Sequence, residues 1–270
     1  MELQSDEGSR LADAIEARAA ADMYAAAPAA LEIRTEVVGG ATVLLAPRVP
    51  VSYFNRAIGL GVDEPASESS LDEIIAKFAS ARVADYWLHL NPIARPRELP
   101  DWLAARAFAP PPRRTWAKFL RGTQRYDTRP SAFRIRRADA RDAPAVAQTA
   151  CSAFGLPALL APWFAALVGR PGWNFVVAET DTGVAATGAV FIAGTTAWVG
   201  VGATLADQRN RGAQSALLAA RIAVAADAGC TVLATETGES ISGEKNPSLD
   251  NIRRAGFEQV CSRLNLAPKR

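Results

Sequence analysis

Arg209, Arg211 and Gly212 stand together in one turn, inside LADQRNRGAQSALLAARIAVAA (205–226). Two guanidinium groups beside a glycine at a helix start suit the binding of an anion. The first-turn N–H groups have no intrahelical partners, and the macrodipole adds positive charge there. A residue without Cβ lets a phosphate reach the backbone. A solvated basic helix start has the same composition, so spacing alone leaves both readings open. The turn is not a Walker loop, because no Gly-Lys-Ser/Thr follows, and G-x-G-x-x-G is absent.

Two elements must position this turn. AWVGVGAT (197–204) is β-branched, aromatic and interrupted by Gly200 and Gly202, which predicts a bulged strand. Downstream, Ala216, Leu217, Ala220, Val224 and Ala228 recur at helical spacing. The run Arg209, Asn210, Arg211, Gly212, Ala213, Gln214 resembles the pyrophosphate loop of the GNAT (GCN5-related) N-acetyltransferases, whose pattern is Arg/Gln-x-x-Gly-x-Gly/Ala. Gln214 stands where that family has Gly or Ala. A second landmark follows in order, NPSLDNIRRAGF (246–257), a short helix ending in Gly256-Phe257. The resemblance covers roughly 131–270.

The resemblance implies acetyl-CoA as co-substrate and no metal. Arg209, Asn210, Arg211, Gly212, Ala213, Gln214 and Ser215 would hold the pyrophosphate. The strand edge Ala203, Thr204 and Leu205 would pair with the pantetheine amides. Asn246, Ser248 and Asn251 would touch the arm or the thioester, although Ser248 also suits a helix cap and Asn251 a solvent face. Many members place a proton-donating tyrosine in the short helix, and the matching position here is Ile252.

Acyl transfer to an amine needs a group that takes or holds the amine's proton. Among strand-end carboxylates, Glu179 and Glu236, Glu236 in ATETGES is the better placed as base or amine anchor, and it reads equally as an exposed strand-end carboxylate. Phe154, Leu156, Trp163 and Trp173 lie on the segments that cover the acceptor side in this family, yet large aromatics at helical spacing also suit a core. His89 is expected to be structural, with a pocket role as the alternative. Cys230 is expected to be buried and inert.

Composition narrows the class. The 270-residue chain is 49% hydrophobic with a formal charge of +2, enough for two domains and without a nucleic-acid footprint. No run of about 18 apolar residues predicts a membrane span. The acidic start MELQSDEGSR is unlike a signal peptide, and three cysteines without metal-ligand spacing fit a reducing cytoplasm. One histidine excludes a His-based zinc site or a Ser/His/Asp triad in the second half. The expected partners are acetyl-CoA and a small amine, with no nucleic acid and no membrane; a homodimer is left open.

In chain order, a helix over 9–26 precedes a hairpin at Gly39-Gly40 and a strand in 54–62. A helix follows, capped by Ser67 or Ser70, with Glu73 placed for a capping box with Ser70. Next come the strand ADYWLHLNP, a short helix and the strand RRTWAKFLRG. After the linker 122–131, the order is strand, two helices (the first opened by Asp139 or Asp142), three strands, helix, strand, helix and strand. Strand, short helix, aromatic, strand recurs in both halves, which predicts an internal repeat. The stretch matching the basic turn in the first half is acidic, GVDEPASESS, and would repel a pyrophosphate. The reading is an α/β (α+β, mixed-sheet) protein of two tandem GNAT-like domains, a degenerate 1–125 and a coenzyme-binding 126–270. The expected function is N-acetyl transfer to a small amine, with an inactive coenzyme-binding sensor or scaffold as the alternative.

Overall fold

The computed structural model describes residues 6–112, 115–128, 130–240 and 244–269. The first half of the acidic start, Arg113 and Arg114 of the strand reading and Arg129 of the linker reading lie outside the described residues. The elements are α1 (Asp6–Ala25), β1 (Arg34–Val38), β2 (Ala41–Leu45), β3 (Arg56–Ile58), α2 (Glu68–Ser80), β4 (Trp87–Leu90), α3 (Leu99–Ala105), β5 (Phe108–Ala109) and β6 (Thr115–Arg121). The order continues with β7 (Arg134–Arg137), α4 (Ala143–Phe154), α5 (Ala161–Leu167), β8 (Trp173–Thr180), β9 (Gly183–Ala193), β10 (Thr196–Thr204) and α6 (Ala213–Asp227). It closes with β11 (Val232–Gly238), α7 (Pro247–Arg254) and β12 (Glu258–Pro268).

Two compact units form. The first takes residues up to Phe119 together with Glu236–Leu249 and the segment from Gln259 onward; the second takes Leu120–Thr235 and Asp250–Glu258. In the first unit, Gly39 and Gly40 both adopt positive φ and turn β1 back on β2, with Val38 opposite Ala41. The strand order is β1-β2-β3-β4-β12-β6, with β3 parallel to β4 and β12 antiparallel to β4. Leu71, Ile74 and Phe78, at helical spacing on α2, pack with Val43, Leu45 and Leu88 of the sheet.

α2 starts at Ser67, whose Oγ accepts from Ser70 N–H at 3.1 Å while Ser67 N–H donates to Ser70 Oγ at 3.0 Å. Of the two expected caps Ser67 is the one used, so the box closes on Ser70 as third residue and Glu73 takes no part. This cap uses the donors of the helix start internally.

The second unit orders its strands β11-β10-β9-β8-β7. β8, β9 and β10 form antiparallel neighbours, and α6 carries the chain over to β11, parallel to β10. The first unit repeats these senses of pairing: β1-β2-β3, α2 and β4 correspond to β8-β9-β10, α6 and β11. Asp139 caps the short 3-10 turn before α4, with Asp142 as its reciprocal partner.

Candidate functional site

The basic turn lies in the second unit and is open. Gly212 is the N-cap residue of α6 with φ +86°, and no side chain caps the helix. A Cβ built at Gly212 would meet nothing within 4 Å, so glycine here suits the left-handed conformation rather than a close contact, and clear space lies before the helix start. Asn210 also has positive φ, which curls the turn so that Arg209, Asn210, Arg211 and Gly212 are all exposed. Arg209 donates to the Thr204 and Ala153 carbonyls at 3.4 Å each. Arg211 lies over the Phe133 ring at 5.1 Å and donates to Gln208. These contacts hold two cations beside the uncapped N–H groups of Ala213, Gln214 and Ser215. Gln214, the departure from the loop pattern, turns away and donates to Thr204 Oγ1 at 2.7 Å.

β10 is bulged where its glycines predict. Its register against β9 shifts between Gly200 and Ala203, and Val201 has φ +50°. Pairing with β11 runs only to Trp198 opposite Ala234, so the two parallel strands part beyond it. On the other edge Ala203 and Thr204 pair with β9, and the Leu205 N–H donates to Ala185 at 3.0 Å. The Trp198 ring also requires Gly200: a Cβ there would come within 1.9 Å of it. Packing and bulge are therefore one feature.

Of the expected helix stripe, Ala216, Leu217 and Val224 are buried, Ala220 is half-buried, and Ala228 lies past the helix end and is exposed. Leu218, Arg221, Ile222 and Ala225 widen the buried face, which therefore includes an arginine.

The short helix α7 is capped by Asn246, whose Oδ1 accepts from the Leu249 N–H at 3.1 Å and whose amide donates to the Gly238 carbonyl at 2.6 Å. Ser248 is exposed and is not the cap. Asn251 accepts from Arg254. Ile252 is buried and apolar, and Gly256, at positive φ, ends the helix before Phe257, over whose ring the Arg121 guanidinium lies. Asn246, Ser248 and Glu236 belong to the first unit, Asn251 and the basic turn to the second.

Glu236 enters a buried ionic cluster of the first unit that sequence reasoning missed. Lys118 Nζ lies 3.0 Å from Glu236 Oε2 and 2.7 Å from Glu16 Oε2. Arg263 Nη1 meets Glu16 at 2.6 Å and Asp13 at 2.7 Å, and Arg56 meets Glu16 at 3.2 Å. Burial pushes the Glu16 carboxyl up, but Arg263, Lys118 and Arg56 together hold it well below the usual carboxylate range. His89 is buried: its Nδ1 pairs with Asn265 Oδ1 at 2.7 Å, and its Nε2 meets no hydrogen-bond partner among the described residues. Burial, with Arg263 and Arg56, lowers its pKa well below 6.5. Only a helical Glu in an apolar stripe, Glu16 between Ile15 and Ala19, signals this cluster in the sequence.

Trp163 and Trp173 are core residues, while Phe154 is 45% exposed. All three cysteines are buried and free, and burial raises the Cys230 thiol pKa. Among the described residues no group of His, Cys, Asp and Glu could hold a metal, and no helix is long and apolar enough to cross a membrane.

No family model and no curated protein matches the sequence. Solved structures do. A GCN5-related N-acetyltransferase from Kribbella flavida is similar at 20% identity and TM-score 0.64, over 94% of this chain and 95% of that one. A tandem GNAT protein from the clavulanic acid biosynthesis pathway is similar at 16% identity and TM-score 0.56, over 85% and 78%. A GCN5-related N-acetyltransferase from Sphaerobacter thermophilus gives 16% and 0.56, over 84% and 79%. With its repeated β-β-β-α-β unit, the chain has the fold of the GNAT acetyltransferases, in tandem form.

Proposed function

We propose that the chain is an acetyl-CoA-dependent N-acetyltransferase acting on the amine of a small molecule in a reducing, cytoplasmic setting. The observation that carries the reading is the uncapped start of α6 at Gly212, flanked by Arg209 and Arg211. Open space before Gly212 and β10 parting from β11 fit a diphosphate joined to an extended arm. The N–H groups of Ala213 to Ser215 and the two guanidinium groups would hold the diphosphate. The β10 edge at Ala203–Leu205, with Asn251 of the same unit, would hold the arm. When bound, the coenzyme supplies the thioester carbonyl. Glu236 meets the acceptor amine as base or anchor.

The working copy is 126–270, of which 236–249 and the segment from Gln259 onward pack within the first unit, and the degenerate first copy is 1–125. The Ser67–Ser70 box supports this, since it closes the first-copy helix start on itself. A second reading, a coenzyme-binding sensor or scaffold without turnover, is favoured by Ile252 and by Gln214 bonded to Thr204. Calorimetric titration with acetyl-CoA, followed by thiol-release assays over a panel of small amines, tests both. Binding with turnover supports transfer, binding without turnover on any amine supports the sensor, and absence of binding sinks both.

A further inference from the structure

Arg221 is a buried cation that the proposed chemistry has not used. It is 3% exposed on the face of α6 turned to the sheet. Its Nε donates to the Leu217 carbonyl at 3.1 Å and its Nη1 to the Gly200 carbonyl at 3.0 Å. A Cβ on Gly188 would stand 2.7 Å from the guanidinium carbon, so that glycine gives the charge its room. Beside it, Gly202 is flanked by Nη2 and by Gln214 Oε1. Among the described residues no carboxylate pairs with Arg221, and burial alone pulls its pKa down to about 10. The groups that face it, the Gln214 amide and backbone carbonyls, are neutral. Arg263 is equally buried yet matched by Asp13 and Glu16. A buried guanidinium without a counter-charge is costly, and an aliphatic residue would pack this face more cheaply.

Its position in the fold suggests what balances it. β10 and β11 separate just past Trp198, where Thr235 Oγ1 donates to the Val199 carbonyl at 2.7 Å and Arg221 takes the next carbonyl, Gly200. From Gly212 to Arg221 the helix climbs roughly 13 Å. From Leu205 back to Gly200 the strand runs roughly 16 Å. Both paths lead from the basic turn to the point where the strands part, over a span comparable to an extended pantetheine arm.

Resting on the coenzyme reading above, we propose that Arg221 faces the sulfur end of bound acyl-coenzyme A and stabilises the thiolate that leaves. The amine nitrogen bonds to the carbonyl carbon and the carbon–sulfur bond breaks. The electron pair moves to sulfur, and the nitrogen's proton passes to a carboxylate or water. A fixed cation at the sulfur removes the need for an acid, which accounts for Ile252 at the position where the resemblance implies a tyrosine.

The test uses free coenzyme A as probe and reads the ultraviolet absorbance of its thiolate during a pH titration of the complex. With the wild-type protein the bound thiol is expected to titrate at least about one pH unit below the thiol in solution, tenfold more thiolate at a given pH. Arg221→Met should restore the solution value, and Arg221→Lys should fall between them. A wild-type complex whose thiol is unshifted overturns the inference by itself, even if the Met variant fails to fold, and so does an equal shift in Arg221→Met. If coenzyme A does not bind folded wild type at all, the proposed function fails and this inference with it.

Discussion

The Lys118 ammonium lies between two carboxylates, 3.0 Å from Glu236 and 2.7 Å from Glu16. Glu236 therefore has a structural duty beside the catalytic one proposed for it, and one substitution reads out both. Glu236→Gln should lower stability by about 2 kcal/mol, because a buried ammonium keeps Glu16 but loses a charged acceptor. Turnover should fall roughly a hundredfold with coenzyme affinity unchanged. Urea midpoints and steady-state kinetics measure the two effects. Wild-type rates and acceptor affinity in a destabilised variant would leave Glu236 structural only.

Gly212→Asp should remain folded and lose coenzyme binding. The left-handed position tolerates Asp at modest cost, and its Cβ meets no neighbour. Its carboxylate stands where the diphosphate approaches, so affinity should drop on the order of a thousandfold, several kcal/mol. Unchanged calorimetric affinity in a folded variant would remove this turn from the site.

Coenzyme should bind once per chain. The helix start of the first copy is occupied by its own serines, and Asp63 and Glu64 precede it in place of arginines. A titration reaching two equivalents would show a second working site.

His89 should make stability pH-dependent above the carboxylate range. It is the single histidine, and the folded state keeps it neutral well below 6.5. The unfolded chain takes up a proton below about pH 6.5, so the stability is complete above that value and is lost as pH falls toward the folded pKa. The slope should approach 1.4 kcal/mol per pH unit, and His89→Gln should flatten it. Equal slopes in wild type and variant, from urea melts between about pH 7.5 and 5, would assign the dependence to other groups.

Local signals carried much of the fold. The Gly39-Gly40 turn, the glycine-interrupted bulge of β10 and the Gly212 helix start all depend on residues adjacent in sequence. Of the two caps offered for α2 Ser67 is used, with Ser70 and not Glu73 as its partner, and α7 is capped by Asn246 and not Ser248, because several polar residues nearby could serve equally. Periodicity scores any charge as polar, and only tertiary packing shows that Arg221 and Glu16 are inside. The neighbours of β12 had no local signal either, since strand partners are chosen by long-range burial.

The insertion of β12 between β4 and β6 has a consequence for the order of events in the cell. The N-terminal unit needs a strand made some 140 residues after its own β6, roughly ten seconds or more at common synthesis rates. Until then β4 has an unpaired edge, and Asp13 and Glu16 lack the Arg263 guanidinium that bridges them. The unit that begins first on the ribosome is therefore completed last. A chain cut before β12 should aggregate rather than yield a soluble N-terminal half, as light scattering of the truncated chain would show.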